Sequence, residues 1–107
     1  MHLVDGSTGL QLGNSNDTKF FHDGSNSKIT HSGSGGFYIG ADTLGLQTGA
    51  HNENYLTAAA NGAVSLYYDS AAKLATTSTG IDVAGSVTAD GATIEGNASV
   101  FLSLIHI

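Results

Sequence analysis

Cysteine, proline, tryptophan and arginine are all absent from this 107-residue chain. Without cysteine there is no disulfide framework and no Cys-rich metal cluster. Basic residues are scarce as well: Lys19, Lys28 and Lys73 stand against nine acids, for a net charge of −6. Nucleic-acid binders need a cationic stripe to displace counterions, and an anionic bilayer repels an acidic surface. Neither nucleic acid nor membrane is therefore expected as a partner. No apolar run reaches the roughly 18–20 residues of a bilayer span. The opening Met1-His2-Leu3-Val4-Asp5-Gly6 lacks the basic and apolar regions of a signal peptide. It reads either as the start of a soluble protein made in the cytosol or as an internal stretch of a longer reading frame.

Large apolar side chains are also in short supply. The hydrophobic fraction is 40%, but much of it is alanine, and 15 glycines with many Ser, Thr and Asn fill the rest. A lone chain of this size buries roughly 60–65% of its unfolded surface. With so few large aliphatics, that burial offsets conformational entropy poorly. Since disulfides and a Cys-bound metal are excluded, the expectation is a core shared between chains.

What the chain does contain is a recurring unit. Phe20-Phe21-His22-Asp23-Gly24-Ser25-Asn26-Ser27-Lys28-Ile29-Thr30 and Leu66-Tyr67-Tyr68-Asp69-Ser70-Ala71-Ala72-Lys73-Leu74-Ala75-Thr76 are variants of one pattern. Each is an aromatic-bearing strand ending in Asp, a small polar turn, then Lys and an aliphatic residue. Recurrence in so short a chain points to repeat architecture, where neighbouring copies cover each other's apolar faces. Function in such proteins lies in reach, stiffness and surface display, which argues against an enzyme.

Strand signals dominate the rest. Leu10-Gln11-Leu12 and Ile81-Asp82-Val83 alternate apolar and polar, each after Ser-Thr-Gly. Val64, Leu66 and Tyr68 fall on one face of a third strand. Together with Leu74, Ile81 and Val83 they are expected to face an interior. Glycines bound short segments at 36–40, 45–49, 80–85, 85–91 and 91–96, the punctuation of many tight turns. Residues 53–60 have helix formers, with Asn61-Gly62 as a possible left-handed stop. The favoured alternative is a hairpin, because Asn-Gly suits the two positive-φ positions of a type I′ turn. That yields a meander over 55–60, 63–68 and 73–77, with Ser70-Ala71-Ala72 as a turn. Earlier, residues 19–23 and 28–31 flank Gly24-Ser25-Asn26-Ser27 as a four-residue loop. The aromatics Phe20, Phe21, Tyr67 and Tyr68 read as core and cross-strand packing, with a sugar-stacking platform as the lesser alternative.

Motifs for chemistry are weak. His22-Asp23, His31 and His51 invite a metal or catalytic reading, but a zinc site needs three or four converging ligands, two of them closely spaced. On a trimer axis one His becomes three ligands, so His22 is a weak metal candidate; a strand-end His bonded to its turn is the plainer reading. Asp23-Gly24-Ser25-Asn26 lacks the alternating acids and final Glu of a calcium loop. Asp and Asn capping their own turn explain it better. Gly33-Ser34-Gly35-Gly36 is not a dinucleotide fingerprint, since Tyr38 stands at the third Gly position and no helix follows. There is no nucleophile elbow and no arguable carboxylate pair, so no catalytic residue and no cofactor is expected.

The residues from Asn16 to Ser27, those from Glu53 to Asp69, then Lys73-Leu74, Thr76-Thr77-Ser78-Thr79-Gly80-Ile81-Asp82-Val83 and Val87-Thr88-Ala89-Asp90-Gly91 together resemble the repeat of tail-fibre and related virion structural proteins of marine tailed phages. Phe21 replaces the usual Tyr before His-Asp, and Ser70-Ala71-Ala72 is a variant turn. The resemblance implies an all-β fold of short-strand hairpin and meander repeats, forming an elongated trimeric fibre of β-prism or triple-β-helix type. It implies a homotrimer in a virion appendage assembled in the host cytoplasm. Its partners would be other virion tail proteins and a host surface glycan or outer-membrane protein. The implied division is 1–13 as the end of a preceding repeat or linker, 14–52 as a first module, 53–84 as a second meander module and 85–99 as a connector. Residues 100–107 break the Gly/Ser/Thr texture. Leu102-Ser103-Leu104-Ile105-His106-Ile107 resembles the translated mosaic-end adapter of sequencing libraries, which marks it as a non-native tail; a native apolar terminal strand is the alternative. A bacterial surface adhesin repeat is the competing function, and a module of a glycan-degrading tailspike comes third.

Overall fold

The computed structural model describes residues 2–6 and 8–96. The segment 100–107, expected to be non-native, lies outside the described residues. All regular structure among those described is β: β1 (Leu10–Leu12), β2 (Thr18–His22), β3 (Ser27–His31), β4 (Thr43–Gln47), β5 (Asn54–Ala59), β6 (Val64–Tyr68), β7 (Ala71–Thr76) and β8 (Ile81–Val83). They form two antiparallel meanders, β1-β2-β3 and β4-β5-β6-β7-β8, each strand paired with its neighbour in sequence. The expected all-β class is what the chain adopts. Short strands joined by tight turns follow from the glycine and Asn/Asp spacing, because every strand is stopped within six residues by a turn former.

The two sheets belong to two compact units that divide between Gly40 and Ala41. This differs from the expected modules. Leu10–Leu12, assigned to a preceding repeat, pairs with β2 in the first sheet. Thr43–Gln47, assigned to the module 14–52, pairs with β5 in the second. The recurring unit marks one hairpin of each sheet, β2–β3 and β6–β7, but a sheet extends until its edge strand runs out, which pattern spacing does not reveal. The glycine-bounded segments 36–40, 85–91 and 91–96 contain no strand.

The two copies of the unit form equivalent hairpins with different turns. In the first, Phe20 pairs with Ile29 and His22 with Ser27, leaving Asp23-Gly24-Ser25-Asn26 as the loop, one residue earlier than expected. In the second, Leu66 pairs with Leu74 and Tyr68 with Ala71, leaving only Asp69-Ser70. Both residues have positive φ, 48° and 67°, the signature of a type I′ turn. Ala71 and Ala72 are therefore strand, not turn. The shorter turn is accommodated by a bulge that leaves Lys73 unpaired between Ala72 and Leu74. Each hairpin thus keeps the same aliphatic or aromatic pair, Phe20–Ile29 or Leu66–Leu74, at matching places.

Residues 53–60 resolve in favour of the hairpin, but not through a two-residue Asn-Gly turn. Ala58 pairs with Val64, so the connection is longer, and only Asn61 is left-handed, at φ 58°. The Gly62 N–H donates to Ala59 O at 3.0 Å. Among the described residues no side chain is buried. A single-layer sheet by itself offers neither face anything to pack on, so the expected interior is not formed among the described residues.

Candidate functional site

The second sheet has two chemically distinct faces. Directly paired residues across its five strands are Leu46–Leu56, Leu56–Leu66, Leu66–Leu74 and Leu74–Val83. Antiparallel partners project from the same side of a sheet with Cβ atoms about 4.5–5.5 Å apart, so these five form a continuous aliphatic row. A parallel row beside it carries Leu44, Ala58 and Val64, with Thr76 and Ile81 at the far edge. Val64, Leu66, Leu74, Ile81 and Val83 share a face, as the alternation implied. Its side chains are open among the described residues: Leu66 is 44% exposed, Ile81 66% and Tyr68 74%.

The opposite face is small and polar. Gly45, Thr57, Ser65, Ala75 and Asp82 stand opposite one another across the same strands. Tyr67 lies on this side, its hydroxyl 3.2 Å from Thr57 Oγ1. The Val64 N–H, by contrast, donates to Thr76 Oγ1 at 2.9 Å and so ties β6 to β7 near the end of the ladder.

The first sheet repeats the theme on a smaller scale. Leu10 pairs with Phe20 and Phe20 with Ile29, a three-residue apolar row that is 41–55% exposed. Leu10 and Phe20, with Leu3, Phe21, His22 and Ser27, line an open groove of about 260 Å³. The close approach of β1 to β2 depends on Gly9. It has φ 48°, and a Cβ there would lie 2.5 Å from Phe21 Cβ and collide with the Phe20 carbonyl oxygen.

The Asp23 loop is a self-capped turn. Asp23 Oδ1 accepts from the Ser25 N–H at 3.0 Å and from the Asn26 N–H at 2.8 Å. Oδ2 lies 2.7 Å from Lys28 Nζ, which also sits 5.9 Å from the centre of the Phe21 ring. The Lys28 hydrogen bond, then the two backbone N–H groups, hold the Asp23 carboxyl well below the usual carboxylate range. This occupies the oxygens that a cation would need.

His22, His31 and His51 each have their own local partners. A hydrogen bond of 3.2 Å links His22 Nδ1 and Ser27 Oγ at the loop end of the first hairpin. His31 sits at the other end of the same hairpin, paired with Thr18. Its Nδ1 is 3.2 Å from Thr18 Oγ1, its ring stacks on Phe37 at 6.4 Å, and Nε2 is enclosed without a hydrogen-bond partner. His51 is held in a polar loop, Nδ1 3.1 Å from Gln47 Oε1. Among the described residues no three His, Cys, Asp or Glu side chains converge on a point. His22, the weak metal candidate, lies at an exposed strand end and is hydrogen-bonded to Ser27.

Sequence reasoning missed three leucines of the aliphatic face. Leu44, Leu46 and Leu56 were not singled out, although Leu44-Gly45-Leu46 alternates as a strand should. Their partnership with Leu66 and Leu74 depends on register, and a local pattern does not contain it. No protein family, no curated protein and no solved structure matches this chain.

Proposed function

We propose that this chain is a structural shaft segment of a phage tail fibre or related virion appendage. It works as a homotrimer that supports host attachment through length and surface display rather than catalysis. One observation carries the reading: the sheets present continuous apolar rows, yet no side chain among the described residues is buried. Fixing each backbone residue costs roughly 1–2 kcal/mol in entropy, and single-layer sheets recover too little through burial to offset it. Chains that meet face to face would supply the missing core. The recurrence of one hairpin in both sheets fits growth by repetition, in which each unit depends on its neighbours for cover. The resemblance of residues 16–27 and 53–83 to tail-fibre repeats points the same way.

In this role the acidic, charge-bearing turns face solvent, and the partners are other virion tail proteins. Contact with a host surface glycan or outer-membrane protein follows at the receptor-binding end of the assembled fibre. Sedimentation equilibrium of the 107-residue chain tests the reading. The expected species contains three chains of 10.8 kDa each and is elongated in sedimentation velocity. A compact, stably folded monomer overturns it. Capsid, baseplate or terminase genes beside the coding sequence are the expected genomic context, whereas a surface-anchoring module in the same reading frame would favour the adhesin instead.

A further inference from the structure

We infer that the aliphatic face of the second sheet is a contact surface between copies of this chain, with the row Leu46, Leu56, Leu66, Leu74 and Val83 at its centre. The inference rests on the shaft reading only for the number of copies. The row runs unbroken through all five strands, and the flanking Leu44, Ala58, Val64, Thr76 and Ile81 add no charge. On a chain of net charge −6, a charge-free face is the kind of surface that can meet a copy of itself without bringing like charges together. The opposite row, by contrast, carries Asp82, which a self-contact would place against its own kind and desolvate at a cost.

The occupant must also be one that is always present. A chain without a buried residue among those described depends for its fold on whatever covers it, and the partner guaranteed at every synthesis is another copy. Five strands spaced about 4.8 Å apart and about five residues long at 3.4 Å each make a footprint of about 400 Å² per copy.

The absence of cysteine makes the test direct, because a single introduced thiol can cross-link only between chains. Leu66→Cys and, one strand away, Leu56→Cys are placed on the proposed face, and Ser65→Cys on the opposite one. Each full-length variant is checked for a strand-type circular dichroism spectrum, oxidised or treated with a short bis-maleimide at low protein concentration, and resolved on a denaturing gel. The expected result is linkage through residues 66 and 56 but not 65. In a three-chain cluster one thiol is always left over, so cross-linking stops at two of every three chains.

Complete linkage through residue 66 in a wild-type dimer upholds this face and overturns the trimeric shaft. A wild-type trimer that links through residue 65 instead overturns this face and leaves the shaft standing. A folded monomer that links at neither face position overturns both.

Discussion

Ser70 occupies a conformation that L-residues disfavour, with φ 67° in the turn joining β6 to β7. Its hydroxyl donates to Glu53 Oε1 at 2.9 Å, an exposed hydrogen bond. Left-handed backbone costs a residue with a Cβ about 1–2 kcal/mol, whereas a typical hydrogen bond nets about 0.5–1.5 kcal/mol. Ser70→Ala keeps the strain and loses the bond; Ser70→Gly loses the bond and the strain together. Thermal melts are therefore expected to rank Ser70→Gly above Ser70→Ala by about 1 kcal/mol, with Ala below wild type. A second prediction concerns Asp23. Its folded-state pKa is depressed below the ordinary 3.8, so its contribution to stability is fully present above that value. That contribution is lost as pH falls through the folded pKa. Acidification from about pH 5 to about pH 2 should lower the melting temperature of wild type more than that of Asp23→Asn, the two being compared at each pH. Equal slopes would show that the turn does not feel the carboxylate.

Strands in this chain are short and depend on pairing. β8 has three residues and is an edge, yet Thr77 prepares it: the Gly80 N–H donates to Thr77 Oγ1 at 3.1 Å and the Thr77 N–H to Gly80 O at 2.7 Å. That closed turn sets the register in which Val83 meets Leu74. Register in turn decides which side chains share a face, since a one-residue slip would exchange the aliphatic row for the Thr57–Ser65–Ala75 row. The size of a truncation reports whether the face is covered. Leu66 is 44% exposed in the single chain, so Leu66→Ala should cost only about 1 kcal/mol if that face stays open. Covered by another chain, the same change should cost about 2–5 kcal/mol, and Ser65→Ala within about 0.5. We expect the larger value in urea melts of the assembled protein.

The whole molecule is acidic. Its net charge of −6 is carried mostly by turns and loops, with Asp82 in the middle of β8, and Asp23–Lys28 is the one ion pair found among the described residues. Bringing copies together therefore sets charge repulsion against burial of the apolar faces. Repulsion between exposed charges is screened over about 10 Å at 0.1 M salt and about 3 Å at 1 M. Assembly should accordingly tighten as sodium chloride rises, the reverse of an association held by opposite charges. Because folding and association are linked, the melting temperature should also rise with protein concentration. Calorimetry over a hundredfold dilution checks this, and a concentration-independent midpoint would indicate that one chain is stable alone.

Composition and spacing were sufficient for the class of fold, because glycine and Asn/Asp at close intervals favour short strands and tight turns, and the alternation at Val64, Leu66, Ile81 and Val83 has the period of a strand. The recurring unit also located one hairpin of each sheet, β2–β3 and β6–β7. Turn geometry was only partly legible. Asp69-Ser70 closes a type I′ turn that Asn61-Gly62 had promised, because the choice depends on which strand residues pair, and Ala58 pairs with Val64 rather than Ala60 with Ala63. The candidate surface was the least legible. Leu46 and Val83 stand far apart in the chain and become neighbours of one row only through the strands between them. Cross-strand partnership is a property of register, which side-chain packing and two bulges settle over the whole sheet. The tertiary structure alone therefore decided that the apolar residues of five strands converge on one side and that, among the described residues, this side is exposed.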